Sequence, residues 1–376
     1  MDELGGDPRI RLSGPDGLLA AVPHLLGFHP DRSIVLMCMS GDRNALGPVA
    51  RVDLPPDRDP VVVARLTGTA LTHAERVAVI CYPERRRRPA ILTDLMGALD
   101  HAGVGICAVL LVHGGRVWDV VNPGPLRLSD SRPPPGQRHP TTEAFAAVNA
   151  FEGRVVLADR AALRASIAGP RGRRRRLAAR AVTAVVHGHP ADLRDPPARR
   201  PPARSNGRPD LPPPSFVPLP DRVDALLDGA LDQVARTGQV DVHLAAELTV
   251  ACLDVVVRDG VILRGLFELD RIWLAMLIAC AAWTTDDLAS GICAVLAVLA
   301  YRFGDGGLAQ VSVDRCLLAE PGNRLVQQLM DTMAAGLPPR VLDRLLQPPD
   351  GTDVDPVPGS RSRPGHTGED DGAAVA

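Results

Sequence analysis

Residues 12–39, which read LSGPDGLLAAVPHLLGFHPDRSIVLMCM, decide the fold of this chain. Leucine and valine recur at helical spacing in the first half, which predicts a helix that Pro23 should kink or split. Gly27 is a typical helix stop, and Pro30 prevents the helix from resuming. Residues 33–39 form a continuous apolar run, as expected of a strand that is buried on both faces. The stretch therefore predicts an apolar helix, a sharp break and a buried strand.

Helices continue to alternate with apolar strands after this stretch. Helices are predicted at 61–71 and 91–101. The predicted strands are 10–12, 33–39, 47–54, 76–82, 104–113 and 116–121, with a further short one at 154–157. An order of β-α-β-β-α-β-α-β-β argues for a mixed, largely parallel sheet flanked by helices. We expect residues 1–165 to form this α/β domain.

The composition changes sharply beyond that domain. Between residues 160 and 208 there are 13 arginines and only two acidic residues, Asp192 and Asp195, and residues 190–220 contain 11 prolines. Such a segment is expected to be extended and mobile. We therefore assign residues 166–220 to a basic helix start followed by a disordered, Pro/Arg-rich linker. Residues 348–376, rich in Gly, Pro and Asp, are expected to be a disordered tail.

Residues 221–347 are predicted to form an all-α domain. The apolar residues that begin at Val223 recur with a helical period, which indicates an amphipathic helix. Further on, Leu296, Ala297, Ala309 and Pro321 lie where a tetratricopeptide (TPR) unit of about 34 residues places its small and turn residues. A single unit cannot bury its own apolar face, so neighbouring helices must cover it. The C-terminal domain is therefore expected to be TPR-like.

Several short motifs occur in one order along the chain. They are GFHP at 27–30, ARVDLP at 50–55, YRFGDGGLA at 301–309, EPGN at 320–323 and GLPP at 336–339. In this order they resemble the DUF4192 family, an actinobacterial domain of unknown function. The resemblance covers most of the chain outside the linker and the tail. It implies no activity, substrate or cofactor, because none is established for the family.

The composition excludes several classes of enzyme. All 42 basic residues are arginine. Without lysine there is no Schiff-base enzyme, no pyridoxal-phosphate anchor and no P-loop. No G-x-S-x-G elbow or HExxH motif occurs. The resemblance to DUF4192 implies a cysteine cluster with a tryptophan–tyrosine pair after the β-hairpin, but here Trp118 is followed by neither cysteine nor tyrosine. No metal or other cofactor is therefore expected. Whether the protein is an enzyme stays open, with the balance against it.

The cysteines and the apolar runs bear on location. The seven cysteines are scattered singly, as in a reduced, cytoplasmic protein. The N-terminus is acidic and lacks an apolar signal segment, so export is not expected. The most apolar runs, 272–283 and 292–299, are shorter than the roughly 20 residues of a membrane-spanning helix. We therefore expect a cytoplasmic protein that does not cross a membrane.

One candidate ligand site comprises His29, Arg51 and Asp53. Arg51 and Asp53 alternate along one predicted strand, so both project from the same face. If His29 lies at the carboxyl end of the sheet, the three side chains could meet in a crevice and bind a phosphorylated or carboxylated small molecule. The alternative is that His29 shapes a turn while Arg51 and Asp53 form a structural pair.

A second candidate site is the arginine run at Arg173, Arg174, Arg175 and Arg176. Guanidinium groups in such density are typical of contacts with phosphates of nucleic acid or nucleotides. No aromatic residues are interleaved for base stacking, and the whole chain carries a net charge of only −2. The alternative is a solvated, basic helix start.

Three functions are compatible with the sequence. The first is a non-enzymatic interaction or scaffold protein that docks a protein partner through residues 221–347. The second is a protein that binds, or acts on, a small phosphorylated or carboxylated molecule in its α/β domain. The third is a nucleic-acid-associated protein that uses the arginine-rich segment.

Overall fold

A computed structural model describes residues 12, 14–41, 44–85, 87–121, 143, 147, 155–188, 221–268, 270–337 and 339–346. Most of the predicted first strand, the greater part of the predicted linker and the predicted tail lie outside these residues. The statements below concern the described residues.

Five strands in the described part of the chain form a single sheet with the order β2-β1-β3-β4-β5. The strands are β1 (Ser33–Ser40), β2 (Ala45–Asp53), β3 (Arg76–Tyr82), β4 (Gly105–His113) and β5 (Arg116–Asp119). The apolar run of the opening stretch is β1. It is flanked by strands on both sides and is buried along its length except at Ser40.

The sheet is mixed, and the expectation that it would be largely parallel is wrong. β3 and β4 run parallel, whereas β1 is antiparallel to both of its neighbours and β5 is antiparallel to β4. Short turns connect β1 to β2 and β4 to β5, and a short turn can only join antiparallel strands. The continuous apolarity of β1 reflects helices on both faces of the sheet, which a mixed sheet also permits.

Twelve helices are described. They are α1 (Gly14–Leu26), α2 (Pro60–His73), α3 (Ala90–His101), α4 (Arg160–Ser166), α5 (Gly172–Gly188), α6 (Asp221–Thr237), α7 (Val242–Ala251), α8 (Val255–Phe267), α9 (Arg271–Trp283), α10 (Ser290–Arg302), α11 (Gly306–Ala319) and α12 (Arg324–Ala334). Two 3₁₀ segments, Asp286–Leu288 and Pro339–Leu346, accompany them.

The first helix ends as the sequence predicts but is not split. α1 continues through Pro23 to Leu26, and Gly27 follows with a φ of 77°. This left-handed conformation costs glycine little, because it has no Cβ. The isolated bridge between Phe28 and Leu157 then directs the chain towards β1.

The two faces of the sheet belong to two apolar clusters. Ile34, Leu36 and Cys38 of β1 point to the face covered by α2 and α3. Val35 and Met37 point to the other face, where they share one continuous cluster with α1 and with the helices of the C-terminal half. Alternate residues of a strand point to opposite faces, so β1 contributes to both clusters. The sheet and the helices are therefore joined through a common core.

The segment predicted as a basic helix start is part of this assembly. In α5, Ala178 and Ala181 are buried, and the helix packs against α7 and α9. α4, which precedes it, packs against α11. The arginine-rich helix is thus attached to the helical half of the protein.

We predict that Gly291→Ala destabilises the protein. A Cβ at Gly291, in the first turn of α10, would lie 2.2 Å from the backbone oxygen of Cys252 at the end of α7. Overpacking against backbone costs roughly 1–3 kcal/mol, because neither helix can move aside freely. Chemical denaturation measures the loss in the free energy of unfolding.

Gly68→Ala is the matched control. Gly68 lies in α2, and a Cβ there meets nothing within 4 Å. Alanine in a helix interior is favoured over glycine by roughly 0.5–1 kcal/mol, so this variant should be as stable as the parent protein or more so. Equal stability of the two variants would contradict the close contact between α7 and α10.

Candidate functional site

Arg51 and Asp53 are brought together as the sequence predicts. Both lie on β2, and Arg51 Nη2 lies 2.6 Å from Asp53 Oδ1. The Arg51 side chain is 12% exposed and stacks near the ring of Phe28, with 5.8 Å to the ring centroid, whereas Asp53 is 68% exposed. The arginine is therefore held at the edge of the core, and the carboxylate faces solvent.

The pair is the first part of a larger ion-pair network. Asp53 Oδ2 accepts a hydrogen bond from Arg160 Nη1 of α4 at 3.0 Å. Asp314 Oδ2 of α11 in turn accepts from Arg160 Nη2 and from Arg164 Nη2, each at 3.2 Å. Charges of alternating sign thus run from the edge strand β2, through α4, to α11. We call these five residues the seam network, because they connect the sheet to the helical half.

The surroundings of Arg51 shift its pKa. Burial lowers the pKa of Arg51, the carboxylate of Asp53 opposes that shift, and the positive charges of Arg160 and Arg164 lower the pKa further. Three arginines face two aspartates, which leaves one positive charge in excess. An arrangement of this kind holds elements together and presents a mildly cationic edge.

His29 does not join this network. Its side chain is exposed, and its backbone N–H donates to the oxygen of Leu157 at 3.1 Å. No hydrogen bond or ion pair connects its ring with Arg51 or Asp53, all three of which are described residues. The structure thus assembles two of the three predicted residues, and it adds three that sequence reasoning missed. Arg160 and Asp314 lie 154 positions apart, and no local pattern marks them as partners.

We predict that Asp314→Asn destabilises the protein by about 1–2 kcal/mol, because it removes the carboxylate shared by two arginines. The matched control is Asp232→Asn, which breaks the exposed pair between Arg236 and Asp232 on α6. That change should cost at most about 0.5 kcal/mol. Urea denaturation at low and high salt gives both values. Equal effects of the two variants would show that the seam network has no role in stability.

The four arginines of the predicted phosphate site lie in the first turns of α5 and are exposed. They do not act as one group. Arg174 lies over the ring of Trp283 in α9, with 4.1 Å between its guanidinium carbon and the ring centroid. Arg173 and Arg176, with Arg180 and Leu177, follow at the i, i+3, i+4 and i+7 spacing of one helix face. We call this the arginine face.

Within the part of the chain that the structure describes, the side chains of the arginine face make no ion pair. The first turn of α5 contains no acidic residue. The N-terminal end of a helix dipole is positive, so a positive side chain there is unfavourable. Each such charge costs about 0.3–1 kcal/mol. The arginine face is therefore an exposed surface of positive charge without a counterion from the described chain.

The family of the protein follows from comparison with known families. The model of a domain of unknown function, DUF4192, matches residues 15–340. The chain belongs to the DUF4192 family. The match spans the sheet and the helical half together, including every residue of the seam network and the arginine face. No curated protein and no solved structure matches the chain.

The thiols of this DUF4192 protein are not activated. Six of its seven cysteines are buried, and Cys107 is exposed. Burial raises the pKa of Cys81, Cys252 and Cys316 to about 12. Since the thiolate is the reactive form, these thiols are poor nucleophiles at neutral pH.

Among the described residues, no three His, Cys, Asp or Glu side chains are grouped as metal ligands. No helix in the described ranges is long and apolar enough to cross a membrane.

We predict that iodoacetamide modifies one thiol per folded chain near pH 8. Cys107 should react, because it is accessible, and the six buried thiols should not. Mass spectrometry of the native protein gives the number of adducts. Cys107→Ser should abolish labelling, whereas the matched variant Cys81→Ser should leave it at one. Labelling of several thiols in the native protein would contradict the burial described above.

Proposed function

We propose that this DUF4192 protein is a non-enzymatic scaffold that docks an acidic protein partner. The partner would bind through the helical half, residues 221–347, and through the arginine face. That face belongs to α5, the helix that packs on the helical half. The observation that carries the proposal is the positive charge of the arginine face, which has no counterion among the described residues. We place this interaction in the cytoplasm, and the seven free thiols support that location.

The chemistry of the arginine face supports a protein partner. Arginine presents a planar fork of donors that matches a carboxylate in a bidentate geometry. Leu177, which is 40% exposed, lies among the arginines and adds an apolar contact. The ring of Trp283 is covered by Arg174, and its indole N–H donates to the oxygen of Val240. An acidic segment that also carries an apolar residue fits this surface better than stacked nucleobases do.

Attachment to rigid elements supports the proposal as well. Ala178 and Ala181 fix the inner side of α5 to α7 and α9, so the arginines are held on a stable helix. Binding would then require less ordering of the surface, which favours affinity. An acidic partner would also relieve the unfavourable charge at the start of α5.

We further interpret α10 and α11 as a TPR-like unit within the docking half. Three residues, Phe303 to Asp305, join the two helices, and Gly304 in this turn has a φ of 82°. The helices pack closely, and Ala309 is fully buried between neighbouring elements. These features support the interpretation, and α8 and α12 provide the neighbouring cover that such a unit requires.

We predict that the full-length protein binds labelled polyglutamate and that Arg173→Gln/Arg176→Gln/Arg180→Gln weakens the binding about tenfold. Three exposed charge pairs of a few tenths to 1 kcal/mol each account for a change of this size. Fluorescence anisotropy at several salt concentrations measures the affinity and its salt dependence. A mixed-sequence DNA duplex is titrated in parallel.

The matched control removes three arginines from the sheet half, Arg85→Gln/Arg87→Gln/Arg116→Gln. These side chains are also exposed, so the net charge changes equally. The control should bind polyglutamate within about twofold of the parent protein. An equal loss in both variants would reduce the effect to net charge and refute the proposal. Binding of DNA through the arginine face, without binding of polyglutamate, would replace it with a nucleic-acid function.

A further inference from the structure

The arginine face presents three exposed guanidinium groups along about 10 Å of α5. Arg173, Arg176 and Arg180 form no ion pair with any other described residue. Three consecutive carboxylates on an extended chain cover a similar length, about 7–10 Å. The arginine face can therefore bind such a run of acidic residues as one unit.

The chain itself carries one acidic run of this kind. Residues 369–371 read Glu-Asp-Asp, the longest uninterrupted run of acidic residues in the sequence. The run belongs to residues 347–376, which follow the last described residue, Leu346. These 30 residues contain six acidic residues and two arginines, which gives a net charge of −4 with histidine neutral. Their charge is thus opposite in sign to that of the arginine face.

The acidic run can reach α5. The 3₁₀ segment Pro339–Leu346 packs against α10, α10 packs against α9, and α9 packs against α5. Neighbouring helices lie about 8–10 Å apart, so three such steps amount to about 30 Å, and the length of α5 adds at most about 25 Å. Glu369 follows Leu346 by 23 residues, and a chain of that length can span up to about 75 Å. The acidic run is therefore within reach of every arginine of the face.

Attachment to the same chain favours this contact. Exposed pairs of arginine and carboxylate are individually weak. A segment tethered to the surface that it binds has an effective concentration of about a millimolar, so contacts too weak to hold a separate peptide suffice. A second copy of the chain is not tethered and lacks this advantage.

We propose that residues 369–371 bind the arginine face and compete there with the acidic partner. A partner must displace the acidic run, which favours partners that add further contacts, such as an apolar group against Leu177. The competition rests on the docking function proposed above. The contact between the run and α5 can be measured without any partner.

Glu369→Gln/Asp370→Asn/Asp371→Asn removes the acidic run from the full-length protein. Labelled polyglutamate should bind this variant about fivefold more tightly than it binds the parent protein, because the internal competitor is gone. Fluorescence anisotropy measures the two affinities.

The matched control is Asp350→Asn/Asp353→Asn/Asp355→Asn, which changes the charge of the same segment equally. Asp355 follows Leu346 by nine residues, at most about 30 Å of chain, so these three acids reach the arginine face poorly. The control should bind polyglutamate within about twofold of the parent protein. Equal gains in the two variants, or no gain in the first, would overturn the competition.

A nitroxide near the acidic run tests the contact itself. The label is attached at Ala374→Cys in a Cys107→Ser background, which lacks the exposed thiol. It should broaden the amide signals of residues 173–180, and either high salt or Arg173→Gln/Arg176→Gln/Arg180→Gln should remove the broadening. Broadening without any binding of polyglutamate would refute the docking function and leave the contact in place. Absence of broadening, or broadening that persists in the arginine variant, would overturn the assignment of the acidic run to the arginine face.

Discussion

The buried guanidinium of Arg315, on α11, is the interaction on which the arrangement of the helical half depends. The residue is 8% exposed. It donates to the oxygen of Ala281 at 2.8 Å, to that of Thr284 at 2.6 Å and to that of Ile167. These carbonyls lie at the C-terminal ends of α9 and α4, where the helix dipole is negative and the last carbonyls lack the usual i+4 donor.

The magnitudes show which partners of Arg315 matter. Hydrogen bonds that involve a charged group contribute about 1.5–3 kcal/mol each. The oxygen of Ala281 also accepts from the backbone N–H of Thr284 at 3.1 Å. Asp286, which also contacts Arg315, is 85% exposed and adds at most about 1 kcal/mol. Gly169 makes room for the group, since a Cβ there would lie 3.0 Å from Arg315 Nη2. One side chain thus fixes α4 and α9 to α11, and α4 in turn carries Arg160, which pairs with Asp53 of β2.

The sequence reveals much of the local structure and little of what joins distant parts. The continuous apolar run at residues 33–39 predicts a strand that is buried on both faces. Such a run is visible in the local sequence, without knowledge of which residues pack on it. Whether neighbouring strands run parallel depends on which strands meet in the sheet. The chain passes through α2 from β2 to the other side of β1, so β3 pairs with β1 in the antiparallel direction. Arg51 and Asp53 are recognisable as partners because they alternate on one strand. The pairing of Arg160 with Asp314 depends on long-range packing, which no local pattern in the sequence records.

The sheet and the helices share one core, and we expect them to unfold together. Native-state hydrogen exchange can compare the amide of Ile80 in β3 with that of Leu296 in α10, both of which are buried in the common cluster. The two amides should exchange through openings of equal free energy, with the same dependence on denaturant. Exchange of Leu296 at markedly lower free energy, while Ile80 stays protected, would contradict it.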